Sequence, residues 1–202
     1  MADLDKNQRH EKRMKRHKEV VDDKIQQADQ DKGLMLVITG NGKGKSSSGF
    51  GMVARALGHG MRVGVVQFIK GAYSTGEETF FRRFADEVEY HVMGDGFTWD
   101  TQNLEQDIAS AQEGWQVCKK LLNDPNIDIV LFDELNIVLK MNYLSCEEVL
   151  ADLAARPDMK HVIITGRGAP EAIIDAADTV SRIDDVKHAF RAGIKAQKGI
   201  EL

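Results

Sequence analysis

The chain has 202 residues, 42% of them hydrophobic, enough for one well-filled core, so a single domain is the expectation. A formal net charge of −5 supplies no global basic field for nucleic acid. Two cysteines, Cys118 and Cys146, lie outside any Cys-x-x-Cys or Cys/His cluster, which argues against a disulfide framework or a zinc site. A charge-dense N-terminus without an apolar h-region gives no signal peptide, and no uninterrupted apolar run approaches the roughly 20 residues of a membrane span. The expectation is a cytoplasmic protein with neither a membrane nor a nucleic acid as partner.

Residues 1–32 differ from the rest. Lys6, Arg9, Lys12, Arg13, Lys15, Arg16 and Lys18 face the single acid Glu11, and the next stretch, 19–31, turns acidic. Its few apolar residues, among them Leu4, Met14, Val20, Val21 and Ile25, cannot build a core of their own. Two readings lead for this arm: a solvated, partly disordered segment, or a helix that docks on the body or on a partner chain; a third, a nucleic-acid arm, is disfavoured because acids follow so closely. From residue 33 to 202 the chain reads as one domain in which short β-rich runs alternate with helices.

Residues 34–39 (Leu-Met-Leu-Val-Ile-Thr) form a buried strand, followed by a Gly-rich turn and a helix over 45–59. Residues 62–68 are a second strand, and 88–92 a weaker third, preceded by a short helical stretch around 80–84. A long helix over 103–123 leads to a fourth strand at 127–132. Ser145, with Glu147 and Glu148 behind it, caps a helix reaching about residue 156. A fifth strand at 161–165, a short helix at 171–176 and a possible sixth strand at 179–183 complete the pattern. Apolar strands alternating with helices predict an α/β fold: a mostly parallel open sheet of five to six strands with helices on both faces. With the glycine-rich turn described next, the expected architecture is that of a P-loop NTPase (RecA-like).

The turn between the first strand and its helix reads Gly40-Asn41-Gly42-Lys43-Gly44-Lys45-Ser46-Ser47. Glycines let successive backbone N–H groups fold into an anion-binding concavity, and the helix that follows adds the positive end of its dipole. Lys45 offers an ammonium to phosphate oxygens, and the Ser46 hydroxyl suits Mg²⁺. The match to G-x-x-x-x-G-K-[ST] is imperfect, because Thr39 holds the first glycine position. The fourth strand ends in Asp133-Glu134 at the sheet edge where open α/β folds bind ligands, placing an acid where Mg²⁺ is held. An acidic pair there could instead serve only the next helix. His59, His161 and His188 have no ligand partner at helical or hairpin spacing, and Trp115 reads as core.

A nucleoside triphosphate with Mg²⁺ is the expected ligand, and the loop alone leaves hydrolysis, phosphoryl transfer and nucleotide-gated binding open. The ordered series Thr39-Gly40-Asn41-Gly42-Lys43-Gly44-Lys45, Gly64-Val65-Val66-Gln67-Phe68-Ile69-Lys70-Gly71, Gly96-Phe97-Thr98-Trp99, Asp133-Glu134-Leu135, Thr165-Gly166-Arg167-Gly168 and Val186-Lys187-His188-Ala189-Phe190 resembles the P-loop type of ATP:corrinoid adenosyltransferase over essentially the whole chain. The resemblance implies attack of a corrinoid Co(I) on the 5′ carbon of ATP, with triphosphate leaving as one unit and the polyphosphate reversed along the loop. It implies that Gly40, Asn41, Gly42, Lys43, Gly44, Lys45, Ser46 and Ser47 cradle the triphosphate, and that Ser46 and Glu134 position Mg²⁺ or Mn²⁺. On residues alone, Phe97 and Trp99 suit two aromatics clamping a loop. The resemblance makes them an apolar wall beneath the corrin that excludes the lower axial ligand and eases reduction to Co(I). Lys70 and Arg167 are placed as ligand-contacting residues or as surface cations. A homodimer whose arm covers an active site, and a reducing flavoprotein such as flavodoxin, are also implied. Ser46 and Ser47 depart from the family's two threonines, and Asn136 stands where a threonine is expected.

Overall fold

The computed structural model describes residues 5–69, 75–93 and 103–200. The chain divides into two compact units, Met1–Lys32 and Gly33–Leu202. In the first, α1 (Lys6–Gln27) is a helix with none of its residues buried. Lys, Arg, Glu and Gln favour helix, and Glu11 with Lys15 stands at the favourable i, i+4 spacing. Lys70, Phe97 and Trp99 lie outside the described residues.

The second unit is built on β1 (Met35–Thr39), β2 (Val63–Gln67), β3 (Val88–Val92), β4 (Ile129–Asp133), β5 (His161–Thr165) and β6 (Thr179–Arg182). They form one sheet in the order β3-β2-β4-β5-β1-β6, and every pairing is parallel. Parallel strands need crossovers, and here they are helices on both faces. On one face α2 (Lys45–Gly58) and α3 (Gly76–Phe81) bring Phe50, Val53, Ala56 and Phe81 onto Ile38, Val63, Val65, Leu131 and Ile163. On the other, α4 (Leu104–Asn123), α5 (Leu135–Lys140), α6 (Cys146–Ala154) and α7 (Glu171–Ala176) bring Trp115, Leu121, Leu139, Leu153 and Ile173 onto Val37, Val66, Val130, Phe132 and Ile164. The two-residue period of the strands sends alternate side chains into these two cores.

Three elements differ from the sequence reading. The third helix starts earlier than residue 80, at Gly76, because the Thr75 hydroxyl caps it by accepting from the Glu78 amide at 3.2 Å. Helix α5 is not foreseen at all: its six residues, Leu-Asn-Ile-Val-Leu-Lys, are mostly apolar and span less than two turns, too short for a helical period to show after the Asp133-Glu134 pair that ends β4. Helix α6 ends at Ala154, short of Arg156, as Pro157 requires. The Arg156 guanidinium then ties the carbonyls of Leu153, Lys160 and Gly33 together at 2.6, 3.1 and 2.9 Å.

Candidate active site at the carboxyl edge of the sheet

With every strand parallel, the carboxyl ends of β1, β2, β4, β5 and β6 finish at one edge, and their loops converge there. The loop after β1 is pinned from outside by the chain leaving β6. The Gly42 amide donates to the Ile183 carbonyl at 2.8 Å, and a Cβ at Gly42 would stand 2.4 Å from the Asp184 carbonyl oxygen. Gly40 also lies against Ile183. Gly44 caps α2 in the left-handed conformation (φ 110°), which a side chain rarely adopts, and the first turn of α2 begins there with no side chain capping its amides.

An open cleft of about 640 Å³ lies over this edge, within the range of small-molecule sites. Residues 42–47 line it together with Gln67, Asp133, Glu134, Arg167 and His188, and with Phe80 and Phe81 across from the loop. Lys45 is buried, its Nζ donating to the Gly42 carbonyl at 2.7 Å. Burial lowers its pKa, against which the Glu134 carboxylate pulls upward, while Arg167 adds to the lowering. The Ser46 hydroxyl is half-buried, and Asn41, Lys43, Ser47 and Arg167 are exposed.

Glu134 sits immediately after β4 at φ 63°, an uncommon conformation for a residue with a side chain. Its amide donates to the Thr165 hydroxyl at 3.0 Å, and its Oε2 is buried without a hydrogen-bond partner. Burial above all, and then the neighbouring Asp133, push its carboxyl up to about 7 from an ordinary 4.5; Lys45 and Arg167 pull it back. The cleft thus holds a carboxylate with one unpartnered buried oxygen and, electrostatically coupled to it, a buried ammonium.

The structure thus brings Gly42, Lys43, Gly44, Lys45, Ser46, Ser47, Glu134 and Arg167 to one cleft, with Gly40 and Asn41 behind it in the same loop. Sequence reasoning did not single out Gln67 or Thr165 as parts of the site, and it marked Asn136 only as a departure from an expected threonine. The Asn136 amide donates to the Gly166 carbonyl at 3.2 Å and so holds the turn that carries Arg167. His188, which spacing gave no metal role, is on the cleft wall, its Nδ1 accepting from the Phe190 amide at 3.2 Å.

Residues 31–202 match the family model described as ATP:corrinoid adenosyltransferase BtuR/CobO/CobP. The chain is 64% identical over 198 residues to a corrinoid adenosyltransferase of Pseudomonas aeruginosa, covering 98% of each chain. It is 49% identical over 195 residues to the corrinoid adenosyltransferase of Escherichia coli K12, covering 96% of this chain and 98% of that one. The corrinoid adenosyltransferase CobA of Salmonella typhimurium matches to the same extent, 49% over 195 residues, with the same coverage. Among solved structures, the flagellar accessory protein FlaH of Methanocaldococcus jannaschii is similar at a TM-score of 0.48 and 14% identity, covering 75% of this chain and 71% of that one. The chain belongs to the ATP:corrinoid adenosyltransferase family.

Proposed function

We propose that this protein transfers the 5′-deoxyadenosyl group of ATP to the Co(I) of a corrinoid and releases inorganic triphosphate, a step of cobalamin synthesis or salvage. The observation that carries the reading is the shared cleft of Lys45, Ser46 and Glu134 at the mouth of the glycine loop, in a chain of this family. In the transfer, the cobalt electron pair forms the Co–C5′ bond as the C5′–O bond breaks, and the triphosphate keeps the pair of that bond. Negative charge therefore grows on the bridging oxygen. The amides of residues 42–47, the Lys45 ammonium and Arg167 are disposed to stabilise it, and no lytic water is required.

The donor set also suits Mg²⁺ or Mn²⁺: a buried carboxylate oxygen of Glu134 without a partner and the half-buried Ser46 hydroxyl are the hard oxygen ligands such ions take. Bound there, the ion supplies positive charge to the departing triphosphate. Serine in place of threonine at positions 46 and 47 keeps that hydroxyl and loses a methyl contact. Phe97 and Trp99 belong to this reading as the apolar wall under the corrin, and Lys70 as a further ligand-contacting cation. Residues 33–202 form the transferase domain, with residues 1–32 as its arm. A homodimer, a flavodoxin-like reductant and a cytoplasmic location complete the reading.

Product identity tests it. Given ATP, Mg²⁺, a reductant and cob(II)alamin without oxygen, the protein should yield a Co–C bonded corrinoid and triphosphate. ADP or orthophosphate without cobalt-bound adenosyl would instead establish a RecA-like ATPase or a small kinase. Phe97→Ala and Trp99→Ala should lower the rate from Co(II) more than the rate from chemically prepared Co(I). Equal losses would remove the aromatic wall from the mechanism.

A further inference from the structure

Of the two acids that end β4, Asp133 is the deeper, 3% exposed, and both of its carboxylate oxygens are occupied. Oδ1 accepts the Thr165 hydroxyl at 2.6 Å, and Oδ2 accepts the Gln67 amide nitrogen at 3.0 Å. Because a carboxylate only accepts, the Gln67 NH2 end must face Asp133, which leaves the Gln67 carbonyl oxygen to accept the Tyr90 hydroxyl at 2.7 Å. Tyr90, Gln67, Asp133 and Thr165 are all buried, and they tie the middle of β3 and the carboxyl ends of β2, β4 and β5, four neighbouring strands, into one chain of hydrogen bonds.

A hydroxyl has one proton, and Thr165 gives it to Asp133. Its lone pair is therefore aimed the other way, where it accepts the Glu134 amide at 3.0 Å. That amide belongs to the residue held at φ 63° with its Oε2 in the buried part of the site. A left-handed turn at a glutamate persists only where its surroundings over-determine it. Here the determining contact is the Thr165 hydroxyl, itself fixed by the relay behind it.

We infer that Thr165 is a positioning residue that acts through Glu134: its hydroxyl, oriented by Asp133, Gln67 and Tyr90, holds the Glu134 turn so that the carboxylate meets the divalent cation of the nucleotide complex, and Asp133 is the anchor of this relay and not itself a metal ligand. The inference rests on the proposed metal role of Glu134. Methyl packing at Thr165 is a separate matter, because valine keeps its shape and loses its hydrogen bonds, whereas serine keeps the hydroxyl.

The experiment is calorimetric titration of the full-length protein with ATP, in EDTA and in Mg²⁺, for the wild type and for Thr165→Val, Thr165→Ser and Glu134→Gln. The melting temperature of each metal-free protein monitors the fold. Thr165→Val should lose about threefold to tenfold of the Mg²⁺-dependent gain in ATP affinity, the size expected of one hydrogen bond, while its affinity in EDTA stays near that of the wild type. Thr165→Ser should keep the gain within about twofold. A full Mg²⁺ gain in Thr165→Val overturns the inference, and so does an equal loss in Thr165→Ser, which would assign the effect to packing. Should Thr165→Val fail to fold, Tyr90→Phe decides by the same readout: a reduced gain supports the relay and an unchanged one overturns it. An unchanged gain in Glu134→Gln would overturn the metal role itself, and the inference with it.

Discussion

Lys45 is held where burial and function oppose each other. Its ammonium is desolvated and folded back on the Gly42 carbonyl at 2.7 Å, and burial lowers its pKa, so the folded protein gains little from its charge until an anion arrives. Lys45→Ala should therefore leave the melting temperature of the free protein within a few degrees of the wild type, while adenosyl transfer falls by about a hundredfold or more. A thermal-shift trace and a Co–C bond assay on the same preparation check both halves, and retained transfer would remove Lys45 from the site. The pairing of Lys45 with the glycine loop is legible in the sequence because the loop is local: glycine, lysine and serine at fixed spacing between a strand and a helix. Glu134 is legible as the acid ending an apolar strand. The Thr165 and Gln67 contacts are not, because they join Asp133 to partners 32 and 66 positions away, and a hydrogen bond at such separation leaves no spacing to read. The one available signal is that both are polar residues closing apolar strands that end at the same edge.

At the scale of elements, the loop and the segment after β6 are a single packed unit, because Gly42 meets the Asp184 carbonyl with no room for a methyl group. The neighbour is backbone and cannot swing aside as a side chain would. Gly42→Ala should cost about 1–3 kcal/mol and also weaken ATP binding, since the loop amides must shift. Gly51, on the exposed side of α2 with nothing within 4 Å of its absent Cβ, gives the contrast. Gly51→Ala should stabilise by about 0.5–1 kcal/mol through helix propensity and leave activity unchanged. Urea unfolding of the two variants would test the pair, and a stabilised Gly42→Ala would contradict the packing. The strands and the longer helices are legible from the sequence because each carries its own period and is bounded by Gly, Asn or charged residues. Helix α5 is hidden for the opposite reason: with six residues it is under two turns long, and Leu135, Val138 and Leu139 are all buried, so no polar face shows a helical period. The order β3-β2-β4-β5-β1-β6 is likewise set by long-range packing, and only its parallel character follows from alternation.

For the molecule as a whole, the raised carboxyl of Glu134 couples the site to global stability. Its folded pKa of about 7 lies above the ordinary 4.5, so between those values the folded protein holds a proton that the unfolded chain has released. Stability must then fall as pH rises through that window, be unaffected by this group below it, and level off above pH 7. Glutamine at this position carries no such proton, so the stability difference, wild type minus Glu134→Gln, should become more negative by about 2 kcal/mol between pH 5 and pH 8. Comparing the two proteins at each pH cancels the histidines and the other carboxylates, which titrate in both. Nucleotide with its metal ion should reverse the trend, because a ligand that takes the ionised carboxylate stabilises the folded state most where the proton is already lost. Urea midpoints for the two proteins at pH 5, 6.5 and 8, with and without Mg²⁺ and ATP, provide the measurement. Parallel pH curves in the ligand-free proteins would mean that Glu134 is ionised in the free site throughout, and that its buried oxygen is satisfied by solvent and not reserved for a cation.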